Sequence, residues 1–522
     1  MTALPRTYPT VVHMLLDAVE RAPEWEALVC DDERLTYAEY LRCVAGFAGE
    51  LRELGAAGER VVFILGNSLD ICIAYFAGHL ARAQITPLNP MYTGRELRSM
   101  LEDAVPRVLI YDEANHDRDG RLAAELNIPH SIRIGTGPGS RRIARPNDWP
   151  ATRVPAELPR PEELGTLQFT GGTTGRAKGA NLTHAATAIN ISQREVVFPM
   201  RDNVERCLCV MPLFHCYASH TNLHAMAYHR GTLVIQKRYH PAELLEAMAR
   251  ERITLFGGSP TLFTGLMNFD GFARADFSHL HLSCSGGSPL PAEVLARWEE
   301  QTKTPIIEGY GQTESGPVIS FNPVSGVRKP GSVGVPVGQT ELEIVDVETG
   351  TRVLPTGEKG EIRLRGPQLM RDYRNRPEET AQALRNGWLY TGDMGELDGD
   401  GYLFITGRKK EMIIVSGFNV FPREVEEVLH ANPHIKEAAV VGRADAYRGE
   451  LPVAFVVAKE GAVLDPAALS AFCSDRLARY KIPAEFRIMD ALPKTGVGKI
   501  DKLTLAEMAR AGANSLKSKA KT

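Results

Sequence analysis

Four glycines, three threonines and one lysine fall within Thr170-Gly171-Gly172-Thr173-Thr174-Gly175-Arg176-Ala177-Lys178-Gly179, directly after the apolar stretch Leu167-Gln168-Phe169. Glycine lets a backbone turn tightly and bring its N–H groups up to a phosphate; threonine hydroxyls add donors and Lys178 adds a cation. No Lys-Ser or Lys-Thr follows a glycine at Walker A spacing. A polar glycine-rich surface loop has the same composition. A second segment, Gly309-Tyr310-Gly311-Gln312-Thr313-Glu314, follows the apolar pair Ile306-Ile307. That is the carboxyl end of a strand, where α/β folds bind ligands. A ring between glycines can stack on a flat base, and Thr313 and Glu314 suit a phosphate and a hard cation. A turn with a charged exit is the plain alternative.

Three further segments are weaker alone. In Tyr390-Thr391-Gly392-Asp393 the carboxylate can accept two ribose hydroxyls or close an Asx turn. Gly407-Arg408-Lys409-Lys410-Glu411, with Ser416-Gly417-Phe418-Asn419 beyond it, reads as a charged linker followed by a strand and loop. Pro493-Lys494-Thr495-Gly496-Val497-Gly498-Lys499 reads as a loop with solvated lysines.

The elements that must position these segments alternate in type. Thr36-x-x-Glu39 is a capping box before a helical repeat of Tyr37, Leu41, Val44, Ala48 and Leu51. An apolar strand at Val61–Leu65, a helix over Leu69–Ala81 and a buried strand at Val108–Tyr111 follow. Such alternation favours parallel sheets covered by helices. Glu341–Val345 and Glu361–Leu364 instead alternate polar with apolar, between Gly350, Pro355, Gly357 and Gly360, as half-exposed strands of a small barrel or sheet do. After Gly407 the chain changes again. Pro422 starts one helix and Asp465-Pro466 another. The Lys-rich tail, Ser515–Thr522, is expected to fray.

The chain has 522 residues, too many for one core. Sixty Lys and Arg against 64 Asp and Glu give a net charge of −4, which supplies no basic excess for nucleic acid. Eight dispersed cysteines form no CxxC pair, so a reduced, cytoplasmic setting is expected. The N-terminus lacks the order of a secretory signal, and no apolar run is long enough to span a bilayer, which leaves peripheral membrane contact open.

In this order and across roughly residues 10 to 505, the five segments resemble the adenylate-forming superfamily of acyl-CoA synthetases, peptide-synthetase adenylation domains and firefly luciferase. The string Thr170–Gly175 with Ala177-Lys178-Gly179-Ala180-Asn181-Leu182-Thr183-His184 looks most like the bacterial long-chain fatty-acyl-CoA ligases. The commoner family form has serine at position 171 and proline at 177, so one hydroxyl donor is absent here. The resemblance implies an α/β fold. A large N-terminal domain, 1–408, would hold two helix-flanked sheets plus a small β-barrel, and a small mobile α+β C-terminal domain would span 409–522.

The resemblance also implies roles. Thr170, Gly171, Gly172, Thr173, Thr174, Gly175 and Lys178 would hold the ATP β- and γ-phosphates. Thr313 would contact the α-phosphate and Glu314 would hold Mg²⁺. Gly286, Gly287 and Ser288, between Ser285 and Pro289, would pack on adenine, with Gly309-Tyr310-Gly311 on its other face. Asp393 and Arg408 would bind the ribose, and Lys499 would drive adenylation. Lys410 matches a hinge position where many relatives have Asp, and Gly417 would border a coenzyme A tunnel. In Met211-Pro212-Leu213-Phe214-His215, His215 would sit by the substrate carboxylate and that tunnel. Amino-acid-activating relatives usually carry an Asp here, and this chain has His215 and Cys216. The implied activity is acyl-CoA formation from a fatty or other apolar carboxylic acid through an acyl-AMP, with ATP, Mg²⁺ and coenzyme A, by a monomer or homodimer. The alternative is an acyl-AMP ligase that passes the adenylate to another acceptor.

Overall fold

In a computed structural model the described residues are 3–149, 154–170, 177–416, 418–445, 447–495 and 499–519. Gly171, Gly172, Thr173, Thr174, Gly175 and Gly417 lie outside them. The chain forms two compact units. One is Met1–Glu341 with Leu364–Leu389; the other is Leu342–Arg363 with Tyr390–Thr522.

The first unit is built on two mixed sheets. A nine-stranded sheet has a parallel centre that runs, in spatial order, Ile306–Gly311, Leu282–Ser285, Leu255–Gly258, Arg206–Cys209, Thr232–Ile235 and Glu26–Cys30. Antiparallel strands Val318–Phe321 and Glu33–Thr36 flank it. Its strands are almost continuous apolar runs, as two-sided burial demands. Phe256, Phe263, Trp298 and Leu244 form the core under one face. A seven-stranded sheet runs Asp372–Tyr373, Lys178–Thr183, Leu164–Thr170, Gln84–Pro87, Arg60–Ile64, Val108–Asp112 and His130–Ile134. The last five of these strands are parallel.

Local sequence accounts for the connections. The Thr36 hydroxyl accepts from Glu39 N at 3.2 Å while Glu39 returns a carboxylate to Thr36 N at 2.9 Å, which starts helix Tyr37–Glu53. Ser68 caps helix Leu69–Leu80, which joins the parallel strands Arg60–Ile64 and Gln84–Pro87.

The second unit carries most of a five-stranded sheet in the order Glu341–Val345, Gly360–Arg365, Trp388–Leu397 and Leu384–Arg385, with Leu403–Arg408 also on Trp388–Leu397. This is the region read as a small β-barrel; among the described residues no pairing closes it into a ring. A second sheet follows, Phe418–Val420, Ile413–Val415, Gly449–Ala458 and Ile435–Asp445, with Glu485–Ile488 added parallel to Gly449–Ala458. Helices Pro422–His430 and Pro466–Ser474 bury Val425, Leu429, Leu469 and Cys473 against one face of it. The tail read as frayed is helical through Lys519, within Lys502–Lys519. Alanine, leucine and lysine there are strong helix formers, which outweighs the polar composition.

Candidate active site

In the first unit the stem that carries Thr170 and Lys178 is fixed by the sheet. Thr170 pairs with Lys178 across the antiparallel strands Leu164–Thr170 and Lys178–Thr183, and the Thr170 hydroxyl donates to Lys178 O at 3.4 Å. The Lys178 ammonium lies 5.2 Å from the centroid of the Tyr373 ring. Tyr373 donates its hydroxyl to Glu314 Oε1 at 2.7 Å. Burial, and after it the Glu314 carboxylate, push the Tyr373 phenol well above its usual range, so it stays a donor. Lys178, Tyr373 and Glu314 are therefore one connected group.

Tyr373 was not among the residues read from the sequence. It sits in the two-residue strand Asp372–Tyr373, which pairs with Asn181 and Ala180 at the sheet edge. No local pattern marks so short a strand.

The turn Thr313–Ser315 is equally built. Ser315 Oγ donates to Gln312 O and Pro317 O, both at 2.8 Å, and Met370 N donates to Glu314 O at 2.8 Å. Thr313 is buried, and its hydroxyl lies 3.3 Å from Cys216 Sγ. The glycines around Tyr310 are required by close approach. A Cβ on Gly309 would lie 2.2 Å from the Phe321 ring, and one on Gly311 would lie 2.2 Å from the Pro317 carbonyl oxygen. Gly286 neighbours this segment because Ser285 is in register with Glu308. Its Cα would carry a Cβ 3.6 Å from Gly309 O. Beyond it Gly287, with φ +84°, Ser288 and Pro289 form an exposed turn. The adenine candidates thus come from the carboxyl ends of adjacent parallel strands.

His215 caps the short helix Cys216–Ala218 by accepting from Tyr217 N on Nδ1 at 3.2 Å. That bond assigns the neutral ring's hydrogen to Nε2. Three residues outside the motifs pin this segment. Asn67 accepts from Leu213 N at 2.8 Å and donates to Met211 O at 3.1 Å. Tyr75 donates to Leu213 O at 2.7 Å, and Gln168 donates to Phe214 O at 3.2 Å. These long-range contacts leave no local trace in the sequence.

Asp393, Arg408, Lys410 and Lys499 belong to the second unit. Asp393 and Arg408 are cross-strand partners, with Arg408 Nε 3.1 Å from Asp393 Oδ1. Asp393 N donates to Thr391 Oγ1 at 3.0 Å, which in turn donates to Ile362 O at 2.8 Å. Lys410 is exposed in the turn Lys409–Glu411, and Lys409 pairs with the buried Glu361 at 2.7 Å. Lys499 is exposed at the neck of a loop. Thr495 N donates to Lys499 O at 2.7 Å, Lys499 N donates to Thr495 Oγ1 at 3.3 Å, and Asp501 N donates to Pro493 O at 2.8 Å. Lys502 then reaches Glu411 and Glu426, both at 2.9 Å, and ties this neck to the turn that carries Lys410.

Among the described residues no group of three or more His, Cys, Asp or Glu side chains is arranged to hold a metal ion, and no helix is long and apolar enough to cross a membrane. A single carboxylate such as Glu314 fits Mg²⁺, which takes one or two carboxylates and completes its shell with water and substrate phosphates.

Comparison with known proteins accords with this arrangement. The AMP-binding enzyme family matches residues 15–374, and the AMP-binding enzyme C-terminal domain matches 424–499. The chain is 34% identical to a long-chain-fatty-acid–CoA ligase of Bacillus subtilis, over 97% of this chain and 95% of that one. It is 35% identical to a feruloyl-CoA synthase of an Amycolatopsis species, over 90% and 92%. The structure of the anthranilate CoA ligase AuaEII in complex with anthranoyl-AMP superposes with a TM-score of 0.90 at 28% identity, covering 98% of this chain and 99% of that one. The chain is an enzyme of the AMP-binding family and belongs to its adenylate-forming acyl-CoA ligases.

Proposed function

We propose that this enzyme joins a fatty or other apolar carboxylic acid to coenzyme A in two steps, through an acyl-AMP. The observation that carries the reading is the connected group Lys178–Tyr373–Glu314 beside a Thr313 turn that touches the Met211–Cys216 segment. A carboxylate is a poor electrophile. Its oxygen attacks the α-phosphorus of ATP, a P–O bond forms, and the bond to pyrophosphate breaks. Negative charge then gathers on the phosphate oxygens, and preorganised cations and donors lower that barrier. Lys178 and the Thr170 loop hold the outgoing phosphates, and Thr313 orients the α-phosphate. Glu314 holds Mg²⁺, which neutralises phosphate charge when bound. Asp393 and Arg408 take the ribose hydroxyls, and Gly286–Ser288 with Tyr310 take adenine. Lys499 supplies a cation for adenylation only.

In the second step the thiolate sulfur of coenzyme A attacks the acyl carbon, a C–S bond forms and AMP leaves. We assign this step to a rearrangement at Lys410 that separates a 1–408 domain from a 409–522 domain and brings the Gly417 loop into use. His215 borders the acid and the pantetheine. The eight buried free cysteines support a reducing, cytoplasmic setting.

The test is pyrophosphate release across short, long, aromatic and dicarboxylic acids, followed by AMP release with and without coenzyme A. Acid-dependent pyrophosphate release with AMP release that requires coenzyme A is the expected result. AMP release to another acceptor alone would make the enzyme an acyl-AMP ligase instead. Light scattering of the same sample distinguishes monomer from homodimer.

A further inference from the structure

Lys499 stands in the second unit on a piece of chain that is tied at both ends. On one side Lys494 and Ile500 form an antiparallel bridge, and the Lys494 ammonium reaches Glu437 at 2.9 Å. On the other side Asp501 starts the helix Lys502–Lys519. Its Oδ1 accepts from Leu503 N at 3.1 Å and from Thr504 N at 3.2 Å, and its Oδ2 accepts from the Thr504 hydroxyl at 2.8 Å. Lys502 is the next residue, three positions beyond Lys499.

The Lys502 ammonium lies 2.9 Å from both Glu411 Oε2 and Glu426 Oε1, with its side chain 25% exposed. Burial lowers its pKa, but Glu426 and Glu411 more than offset that and hold it above the ordinary value, so the charge is present near neutrality. The two carboxylates belong to different parts of the unit. Glu426 sits on helix Pro422–His430 and also accepts from Val440 N at 2.8 Å, which ties it to the packed sheet. Glu411 ends the turn Lys409–Glu411, immediately after Lys410. One ammonium therefore joins the start of the helix beyond Lys499 to the core and to the proposed pivot at once. Without it, two like charges would face each other and push the turn away from the helix.

From this geometry we infer that Lys502 is a positioning residue for adenylation. Its ion pair with Glu411 makes the Lys499 loop turn as one body with the residue after Lys410, so that movement at the pivot is delivered to Lys499 and not absorbed within the loop. The inference rests on the function proposed above, in which Lys410 is the pivot and Lys499 serves adenylation. Lys502 acts through Lys499. Misplacing a reacting group by about 1 Å can cost about 100-fold in rate, which sets the scale of the effect.

The test follows both half-reactions in the full chain with ATP and Mg²⁺, the first by pyrophosphate release and the second from supplied acyl-AMP and coenzyme A. Lys502→Met keeps the stem and loses the charge. Its adenylation kcat is expected to fall about 10–100-fold, with KM for ATP within about twofold of wild type and thioester formation largely retained. Lys502→Arg should recover most of the loss. Added to Lys499→Ala, Lys502→Met should cause no further loss, because the two act as a unit. Two milder variants separate position from stability should Lys502→Met fold poorly. Glu411→Ala leaves Lys502 paired with Glu426 and should lower adenylation about tenfold with little change in Tm. Glu426→Ala also strips Val440 N of its acceptor, and should lower Tm more and adenylation less. Equal loss in both half-reactions, a further loss in the double variant, or a greater adenylation loss in Glu426→Ala than in Glu411→Ala would overturn the inference while acid activation stands. Wild-type adenylation in Lys499→Ala, or no pyrophosphate release by the wild type with any acid, would instead remove the reading on which it rests.

Discussion

The Thr313–Glu314 turn and the Lys499 loop hold the two groups proposed to meet the same developing charge, yet they are held in opposite ways. Around the turn, side chains make the ties: Tyr373 to Glu314, Thr313 to Cys216, and Ser315 to two backbone carbonyls. Glycines 309 and 311 let the backbone come close enough for this. Around Lys499 the ties include a backbone neck and a threonine hydroxyl, and the residue is exposed. The first arrangement suits a group that serves throughout a reaction without reorganising. The second suits a group that serves one step and is then withdrawn.

The comparison breaks first at Glu314. Glu314→Gln keeps the size and the Tyr373 contact while removing the charge. Adenylate formation is expected to fall about 10²–10³-fold, and excess Mg²⁺ should restore little of it. Pyrophosphate release at several Mg²⁺ concentrations checks this, and wild-type rates would contradict a metal role. Gly311→Ala tests the close approach itself. A Cβ 2.2 Å from the Pro317 carbonyl oxygen meets backbone that cannot yield cheaply, so a loss of about 2 kcal/mol in urea unfolding is expected. Gly399→Ala, whose Cβ would meet nothing within 4 Å, is the matched control and should be close to neutral. Tyr373→Phe sharpens the comparison at the level of one bond. It should cost roughly fivefold in adenylation, about 1 kcal/mol, with thermal stability little changed.

The smallest effect concerns pH and lies where His229 contacts Glu195 and Asp202. Burial lowers the His229 imidazole, but Asp202 and Glu195 more than offset it and hold its pKa above the ordinary value. Its stabilisation is therefore complete below about 6.5 and is lost as pH rises through the elevated value. Burial raises the Asp202 and Glu195 carboxyls, but His229 with Arg6 or Arg194 holds both below their usual range. Their contribution is present above about pH 4 and is lost only in strong acid. Melting scans should show Tm highest near pH 5–6 and about 1–2 °C lower at pH 8. His229→Gln should flatten the alkaline side.

The two regions were also unequally legible in the sequence. The Thr36–Glu39 box, the helix read over Leu69–Ala81 and the Val108 strand follow from local caps and apolar runs and were readable directly. So was the placement of Gly309–Glu314 at the carboxyl end of strand Ile306–Gly311. Tyr373, Asn67 and Gln168 were not, because each acts through a contact with residues distant in the sequence. Lys502 was hidden for the same reason; its bond to Glu411 spans 91 positions. The sequence motifs name residues proposed to face substrate, while the residues that fix those motifs in place carry no motif of their own.

The central claim is that Lys499 works in adenylation and not in thioester formation. Lys499→Ala should be assayed for both half-reactions separately, with acid and ATP for the first and with supplied acyl-AMP and coenzyme A for the second. A fall of about 10²–10³-fold in the first with the second largely retained is the predicted result. Equal loss in both would show that the lysine has no step of its own.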